Sequence, residues 1–372
     1  MFENVAQCIE KHSKNPLSEG FDKYIGLEHI NGTSLKIEGF GNISDGTTFS
    51  KTFIKGDVLF GKRRAYLRKI AIADFNGICS SDILVFRHNN NVLLPELLPL
   101  YVSSPSFINH AISTSAGSLS PRTKWKDLSV YKIALPPLEE QKQIAALFQS
   151  IETAIEKVEV QEKNLQNLKN QLLCELFSEA LQFTNYLNKN DFEKIKFEKI
   201  ALNISERVEP QKTTLDTYVG LEHLDPDNLV IARTGKPDDV IGTKLKIYKG
   251  DIIFGKRRAY QRKVAVSHFD GIASAHSMIL RANEKYIEKE FLPFFMQSDV
   301  FMNRAVQISE GSLSPTIKWK TLAAQEFILP KKEKQKELTK LFKQFDTTRD
   351  QLKQQKTTLK NLKQKLLSEI LG

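Results

Sequence analysis

Two stretches of the chain place an apolar residue at every seventh position: Ile144, Ile151, Val158, Leu165 and Leu172, then Leu338, Phe345, Leu352, Leu359 and Leu366. A seven-residue apolar period kept over several turns marks a long helix whose stripe is buried against another helix. Leu147 and Leu168, answered by Leu341 and Leu362, are the expected companion positions of this seam. Each stretch opens after a proline, and each helix is expected to run about 40 residues, or about 60 Å at 1.5 Å per residue. A single polar helix of that length cannot bury its stripe alone. The two helices of one chain are the nearest partners, and a relay of domain, helix, domain, helix lets them pair antiparallel with a domain at each end. Burial of each seam against a different subunit is the competing arrangement.

Between the helical stretches the apolar period shortens. Asp57–Phe60 and Lys69–Ala73 read as strands on either side of a basic stretch, Ile83–Arg87 as another strand, and Pro95–His110 as a helical segment entering at its proline. The same signals return further on at a fixed offset of 194 residues. Tyr24–Ile30 (YIGLEHI) becomes Tyr218–Leu224 (YVGLEHL), Lys55–Tyr66 (KGDVLFGKRRAY) becomes Lys249–Tyr260 (KGDIIFGKRRAY), and Gly117–Pro121 (GSLSP) becomes Gly311–Pro315. Before Tyr24 the alignment slips by one residue, with Phe2 matching Phe197, which starts the second copy near Lys194. A repeat of this length means one structural unit written twice. The expected fold is α+β: two pseudo-symmetric mixed-sheet domains, at 1–136 and 192–330, separated by an antiparallel coiled coil of two long helices, at 137–184 and 331–372. The polar, turn-prone Asn185–Asp191 is the expected linker.

Composition narrows the partners. At 372 residues the chain suits two domains of common size with connecting elements. Lys and Arg number 54 against 44 Asp and Glu, a formal net charge of +10 that favours a polyanionic partner. Three scattered cysteines, Cys8, Cys79 and Cys174, suggest neither a disulfide framework nor a metal site and fit a reducing cytoplasm. Met1–His12 lacks the apolar core of a signal peptide, and no apolar run approaches the roughly 18 residues of a spanning helix, so no membrane role is expected.

The sharpest local pattern, Gly56-x-x-x-x-Gly61-Lys62 with its twin Gly250-x-x-x-x-Gly255-Lys256, nearly spells the phosphate loop of nucleotide hydrolases. It fails where that loop needs Ser or Thr for magnesium, since Arg63 and Arg257 stand there, and its middle is apolar strand sequence. The residues that follow read better as a DNA surface: Lys62, Arg63, Arg64, Tyr66, Arg68 and Lys69, repeated as Lys256, Arg257, Arg258, Tyr260, Arg262 and Lys263. Such a run can neutralise several phosphates, and arginine can bridge O6 and N7 of guanine. A solvated basic hairpin is the plainer reading of the same residues. The loops add Ser118, Ser120 and Lys124 in one copy and Ser312, Ser314 and Lys318 in the other. Trp125 and Trp319 are expected to anchor the core beside the helix start, with base stacking as the competing role. His29 and His223 lack the neighbours of a metal site, so a structural or base-contacting role is expected. No catalytic residue and no metal ligand is assigned.

Two globular repeats, each followed by a long helix, the first opened by Leu135–Gln141 (LPPLEEQ), together resemble the specificity subunit of type I restriction-modification systems. The second helix departs from that opening, with Leu329–Gln335 (LPKKEKQ), which keeps the proline and the glutamine. The resemblance implies two target recognition domains, each reading half of a bipartite site in double-stranded DNA. It further implies helices that set the spacing and dock two methyltransferase subunits, and motor-nuclease subunits that complete the complex. S-adenosylmethionine, ATP and magnesium would then belong to those partners and none to this chain, which agrees with the absence of a methyltransferase Asn-Pro-Pro-Phe or Asn-Pro-Pro-Tyr motif. A free-standing bipartite DNA-binding regulator or architectural protein is the alternative, and the extended helices count against it.

The close agreement of the copies through the basic stretch predicts half-sites that share bases and are arranged roughly as inverted repeats. Their differences mark where the half-sites diverge: Asn31–Ser50 against Asp225–Lys244, Leu67 against Gln261, Asp82 against His276, and Arg122 against Thr316. Gln261 suits adenine and Arg122 suits guanine, contacts their counterparts cannot make.

Overall fold

A computed structural model describes residues 1–32, 34–89, 92–177 and 189–371. The chain resolves into two compact units, residues 1–159 with 354–372, and residues 160–353. In the first copy eight strands are described: β1 (Ala6–Cys8), β2 (Lys23–Ile25), β3 (Gly41–Asn42), β4 (Lys51–Phe53), β5 (Val58–Gly61), β6 (Ile70–Ile72), β7 (Gly77–Cys79) and β8 (Ile83–His88). They form an antiparallel sheet in the order β1-β8-β5-β6 and a mixed sheet in the order β3-β2-β7-β4, in which only β2 and β7 run parallel. The second copy repeats both. Ala201–Ile204, Ser277–Ala282, Ile252–Gly255 and Val264–Val266 form the first sheet, and Arg207–Val208, Lys244–Ile247, Gly271–Ala273 and Tyr218–Val219 the second. Even the edges correspond, since the Tyr24 to Gly41 pairing of β2 and β3 returns as a bridge between Tyr218 and Gly235. The second copy adds a two-stranded ribbon of Phe192–Lys196 and Glu326–Pro330.

Strand period explains why the central strands are apolar throughout. Side chains alternate between faces, and in β5 Val58 and Phe60 enter a cluster with Phe2, Phe86 and Phe107, while Leu59 enters another with Ile25, Phe53 and Val85. Ile252, Phe254 and Ile253 divide in the same way in the second copy. A sheet covered on both faces leaves few polar positions, which is why sequence periodicity shows the strands as short apolar runs. The expected helical segment at Pro95–His110 is divided in the structure. A 3-10 turn Pro95–Leu97 leads into helix Leu98–Ser103, and a second helix, Pro105–Ser113, starts anew where Ser104 Oγ accepts from the Phe107 amide at 3.3 Å. Pro105 has no amide hydrogen to continue the ladder.

At the entry to β5 a tight turn is fastened by a buried acid. Gly56 takes φ 93°, and Asp57, 1% exposed, accepts from the Ile54 amide at 2.8 Å and from Arg87 through both carboxylate oxygens at 2.7 Å each. Gly250, Asp251, Tyr248 and Arg281 rebuild the same turn. Asp57→Ala is expected to destabilise the first domain by about 3 kcal/mol, because it removes charge-assisted bonds and leaves a guanidinium without its partner. Hydrogen exchange of the β5 and β8 amides measures this, with the second domain's strands as internal control. Unchanged protection of the β5 and β8 amides would refute it.

The long helices run Leu138–Phe177 and Lys332–Leu371, 40 residues each. Residues 178–184 of the expected first helix, and 185–188 of the expected linker, lie outside the described residues, and Lys189–Asp191 forms a 3-10 turn. Each helix start is locked by the glutamine of its opening motif. Gln141, 1% exposed, accepts from the Leu94 amide at 2.9 Å and donates to the Val92 and Pro136 carbonyls. Gln335 accepts from the Glu288 amide at 2.7 Å and donates to the Pro330 carbonyl.

Of the expected seam, Ile144, Ile151 and Val158 are buried, whereas Leu165, Leu172, Leu338, Phe345, Leu352, Leu359 and Leu366 are half-buried. The companion leucines are not where the sequence reading put them. Leu147, Leu168, Leu341 and Leu362 are exposed, and of the positions one residue later Phe148, Lys169 and Phe342 are buried and Lys363 half-buried. The reason is that each helix packs on globular cores as well as on a helix. Phe148, Leu367 and Leu371 complete the Phe2 cluster, and Phe342, Leu173 and Phe177 complete its counterpart around Phe254. In the first unit Glu152 pairs with Lys363 and Glu159 with Lys360, so the helices run antiparallel there. In the second unit buried Lys169 donates to Asp346 at 2.7 Å beside the Phe294 ring. Burial lowers the Lys169 pKa, and such a polar rung in an apolar seam fixes register at a cost in stability.

Candidate nucleic-acid interface

Each domain presents one surface built from two chain segments about 57 residues apart. The first is a strap. After β5, Lys62, Arg63 and Arg64 lead into a 3-10 turn, Ala65–Leu67, and the amide of Gly61 donates to the Lys69 carbonyl at 2.8 Å to close the hairpin. Arg64 and Arg68 flank the turn in the left-handed region, at φ 55° and 51°, as do Arg258 and Arg262 at 57° and 55°. Only one other non-glycine residue among the described ones, Asp227, has positive φ. Such a backbone is unfavourable for a residue with a Cβ, so this turn holds arginines where glycine would sit more easily.

The second segment is the GSLSP loop. Ala116 and Arg122 exchange backbone hydrogen bonds of 3.0 and 2.9 Å, closing Gly117–Pro121 as a hairpin tip, and Glu310 and Thr316 do the same around Gly311–Pro315. Strap and loop are then zipped together. The Arg64 amide donates to the Pro121 carbonyl at 2.8 Å and the Thr123 amide to the Lys62 carbonyl at 3.1 Å, with Arg258 to Pro315 and Ile317 to Lys256 as counterparts. Arg63 donates to Ser120 Oγ at 3.0 Å, and Arg257 and Arg258 both donate to Ser314 Oγ, at 3.1 and 3.2 Å. These two serines therefore hold arginines in place.

The structure divides the basic residues of the strap. Lys69 donates to the Leu27 carbonyl and Lys263 to that of Leu221, while Arg262 is held by Asp227, Asp299 and the Gln297 carbonyl. Arg68 lines a small pocket with Gly32, Leu35 and Ser103. Lys62, Arg63, Arg64, Lys256 and Arg257 are half-buried and Arg258 exposed. Tyr66 and Tyr260 are exposed, Gln261 is half-buried, and Ser118, Ser312, Lys124 and Lys318 are exposed, with Lys318 paired to Glu310. Trp125 packs 5.6 Å from both the Phe2 and Phe86 rings, and Trp319 6.0 Å from Phe197, which places both against the core. His29 and His223 accept the Gly26 and Gly220 amides at 3.0 Å on Nδ1, closing the same turn in each copy. The stretch resembling a phosphate loop is strand β5 and its twin, buried on both faces. Among the described residues no group of three His, Cys, Asp or Glu side chains is placed to hold a metal, and no helix is long and apolar enough to cross a membrane.

Two positions that differ between the copies meet in space. Asp82 accepts from Arg122 Nε at 2.9 Å and lies 3.7 Å from Arg63, and the Arg122 hydrogen bond holds its carboxyl below the usual carboxylate range. At the matching place His276 lies 3.1 Å from Arg257, and Thr316 replaces Arg122. Burial, then Arg257, lowers the His276 pKa, which keeps the ring neutral and able to accept from that guanidinium. The acid and the arginine of one domain are thus exchanged together for histidine and threonine in the other. Sequence alone marks each difference but not their contact, because 40 residues of chain separate Asp82 from Arg122.

The type I restriction modification DNA specificity domain family matches residues 5–167 and 226–361. The chain is 29% identical over 182 residues to the type I restriction enzyme EcoDI specificity subunit of Escherichia coli, covering 47% of this chain and 40% of that protein. It is 24% identical over 315 residues to the MjaVIII specificity subunit of Methanocaldococcus jannaschii, covering 79% and 73%. The match thus spans under half the length of the first of these relatives. Two solved structures share the fold. One comes from work on complex assembly and conformational transition of the type I R-M system, with TM-score 0.64, 19% identity and coverage of 98% of this chain and 95% of that one. The other is the type I restriction-modification S subunit from M. genitalium, with TM-score 0.54, 16% identity and coverage of 100% and 95%. With two strap-and-loop surfaces on an α+β frame and a family match over both copies, the chain belongs to the type I restriction modification DNA specificity family.

Proposed function

We propose that this chain is the non-catalytic, sequence-reading subunit of a type I restriction-modification assembly. Each domain reads one half of a bipartite site in double-stranded DNA through its strap and loop, and the long helices set the spacing and dock two methyltransferase subunits. S-adenosylmethionine, ATP and magnesium are held by those subunits and by motor-nuclease subunits. The observation that carries this reading is the arginine–serine cradle, in which the Arg63–Ser120 bond and the strap-to-loop backbone bonds recur in the second domain with Arg257 and Ser314. Guanidinium groups preset by a serine lose little freedom on meeting phosphate or guanine.

Co-expression with the candidate methyltransferase and mapping of adenine methylation across the host genome tests it. A gapped, two-part motif that vanishes when this chain is deleted is the expected result, and the symmetry of its halves shows how far the half-sites share bases. A methyltransferase that marks the same motif without this chain rejects the role and leaves an independent DNA-binding regulator.

A further inference from the structure

The two most exposed large apolar side chains among the described residues are Leu119 and Leu313, at 89% and 91%, and they occupy matching positions. A lone exposed leucine is ordinary on a protein surface. These two differ in where they stand. Each is the central residue of its GSLSP hairpin tip, behind a glycine whose positive φ, 112° at Gly117 and 106° at Gly311, reverses the chain. Each tip is fastened from behind. Arg64 donates to the Leu119 carbonyl at 3.4 Å and Arg63 to Ser120, and in the second domain Arg257 and Arg258 both hold Ser314. The result in each domain is an apolar point on a braced backbone, with two guanidinium groups bonded to the loop that carries it.

That chemistry fits a partner with an anionic rim and an apolar interior reached through it, which describes duplex DNA: phosphates outside, stacked bases within. Resting on the DNA-reading role above, we propose that Leu119 and Leu313 are wedges, each entering between two stacked base pairs of its half-site while the neighbouring arginines hold the flanking phosphates. Unstacking is easiest at pyrimidine–purine steps, so each wedge selects such a step without any hydrogen bond to its bases. Specificity at those positions is therefore read as deformability.

The test uses the full chain without methyltransferase, so that no flipped base contributes, on a duplex it selects from a random-sequence library. 2-Aminopurine is placed at each position in turn. Wild-type chain is expected to raise emission several-fold at one step in each half-site, and that step to be pyrimidine–purine. Leu119→Ala abolishes the rise in one half-site and leaves the other, Leu313→Ala does the reverse, and Leu119→Phe retains it. At these exposed positions none of the changes threatens folding. Emission unchanged by the alanine variants, or no rise anywhere on a tightly bound duplex, overturns the wedge while leaving DNA reading intact. Loss of methyltransferase co-purification with unchanged emission assigns the leucines to a protein contact and equally overturns it. Failure to select any duplex overturns the DNA-reading role and the wedge with it.

Discussion

Replacing Arg63 and Arg257 together with alanine lowers the affinity of the chain for its target duplex by roughly 30-fold to 10⁴-fold, since each is positioned to supply a directed arginine contact of about 1–3 kcal/mol. Both guanidinium groups sit between the loop serine and the residue at position 82 or 276, so their geometry is set before DNA arrives. Lysine at the two positions keeps the charge and loses the planar fork, and is expected to restore only part of the affinity. Fluorescence anisotropy over a salt series separates two roles. An arginine on phosphate lowers the salt slope by about 0.9 when removed and weakens all sequences alike, whereas one on a base edge relaxes specificity at a single position. Unchanged affinity in the double variant would remove the cradle from the interface.

The double exchange Asp82→His with Arg122→Thr is expected to rewrite part of the first half-site into the pattern of the second, while either change alone mainly weakens binding. Asp82 tethers Arg122, so removing the acid frees a cation to choose new partners, and removing the arginine leaves Asp82 to repel phosphate. The two effects are coupled and will not add. The expected change is one base pair of the first half-site, with discrimination of about 1–3 kcal/mol, read by methylation mapping or selection from a random library. An unaltered motif would sink the assignment. The tether is also insensitive to ordinary pH. The Asp82 pKa lies below its usual 3.8, so its ion pair is present above that value and is lost only as pH falls through the lower one. His276 behaves likewise around a pKa lowered from 6.5: its neutral acceptor is present above 6.5 and is lost as pH falls through the lowered value.

The repeat and the two long helices were legible because they rest on periodicity, which a single sequence displays in full. The strap was legible as a run of charge, but not the fate of each charge. Arg262 and Lys263 look like Arg257 and Arg258 in sequence, yet the left-handed turn between them points the first pair at Asp227, Asp299 and the Leu221 carbonyl. The loop's attachment was hidden for a different reason: backbone hydrogen bonds such as Arg64 to Pro121 leave no side-chain signature. The Asp57–Arg87 pair had a faint one, an acid at the mouth of an apolar strand. The exposed companions of the seam were misplaced by one residue because a heptad stripe does not say which side a globular core will widen.

The first compact unit takes its last helical segment, residues 354–372, from a part of the chain translated roughly two hundred residues after residue 159. Leu366, Leu367 and Leu371 belong to the cluster that closes around Phe2, Phe107 and Phe148. At about 5–20 residues per second, the ribosome leaves that apolar face uncovered for about 10–40 s while the whole second domain is made. The first domain therefore waits, open and adhesive, until residues 354–372 are made. Its yield in the cell will depend on translation speed and on holding chaperones far more than that of the second domain, whose core residues all lie within one continuous stretch of chain.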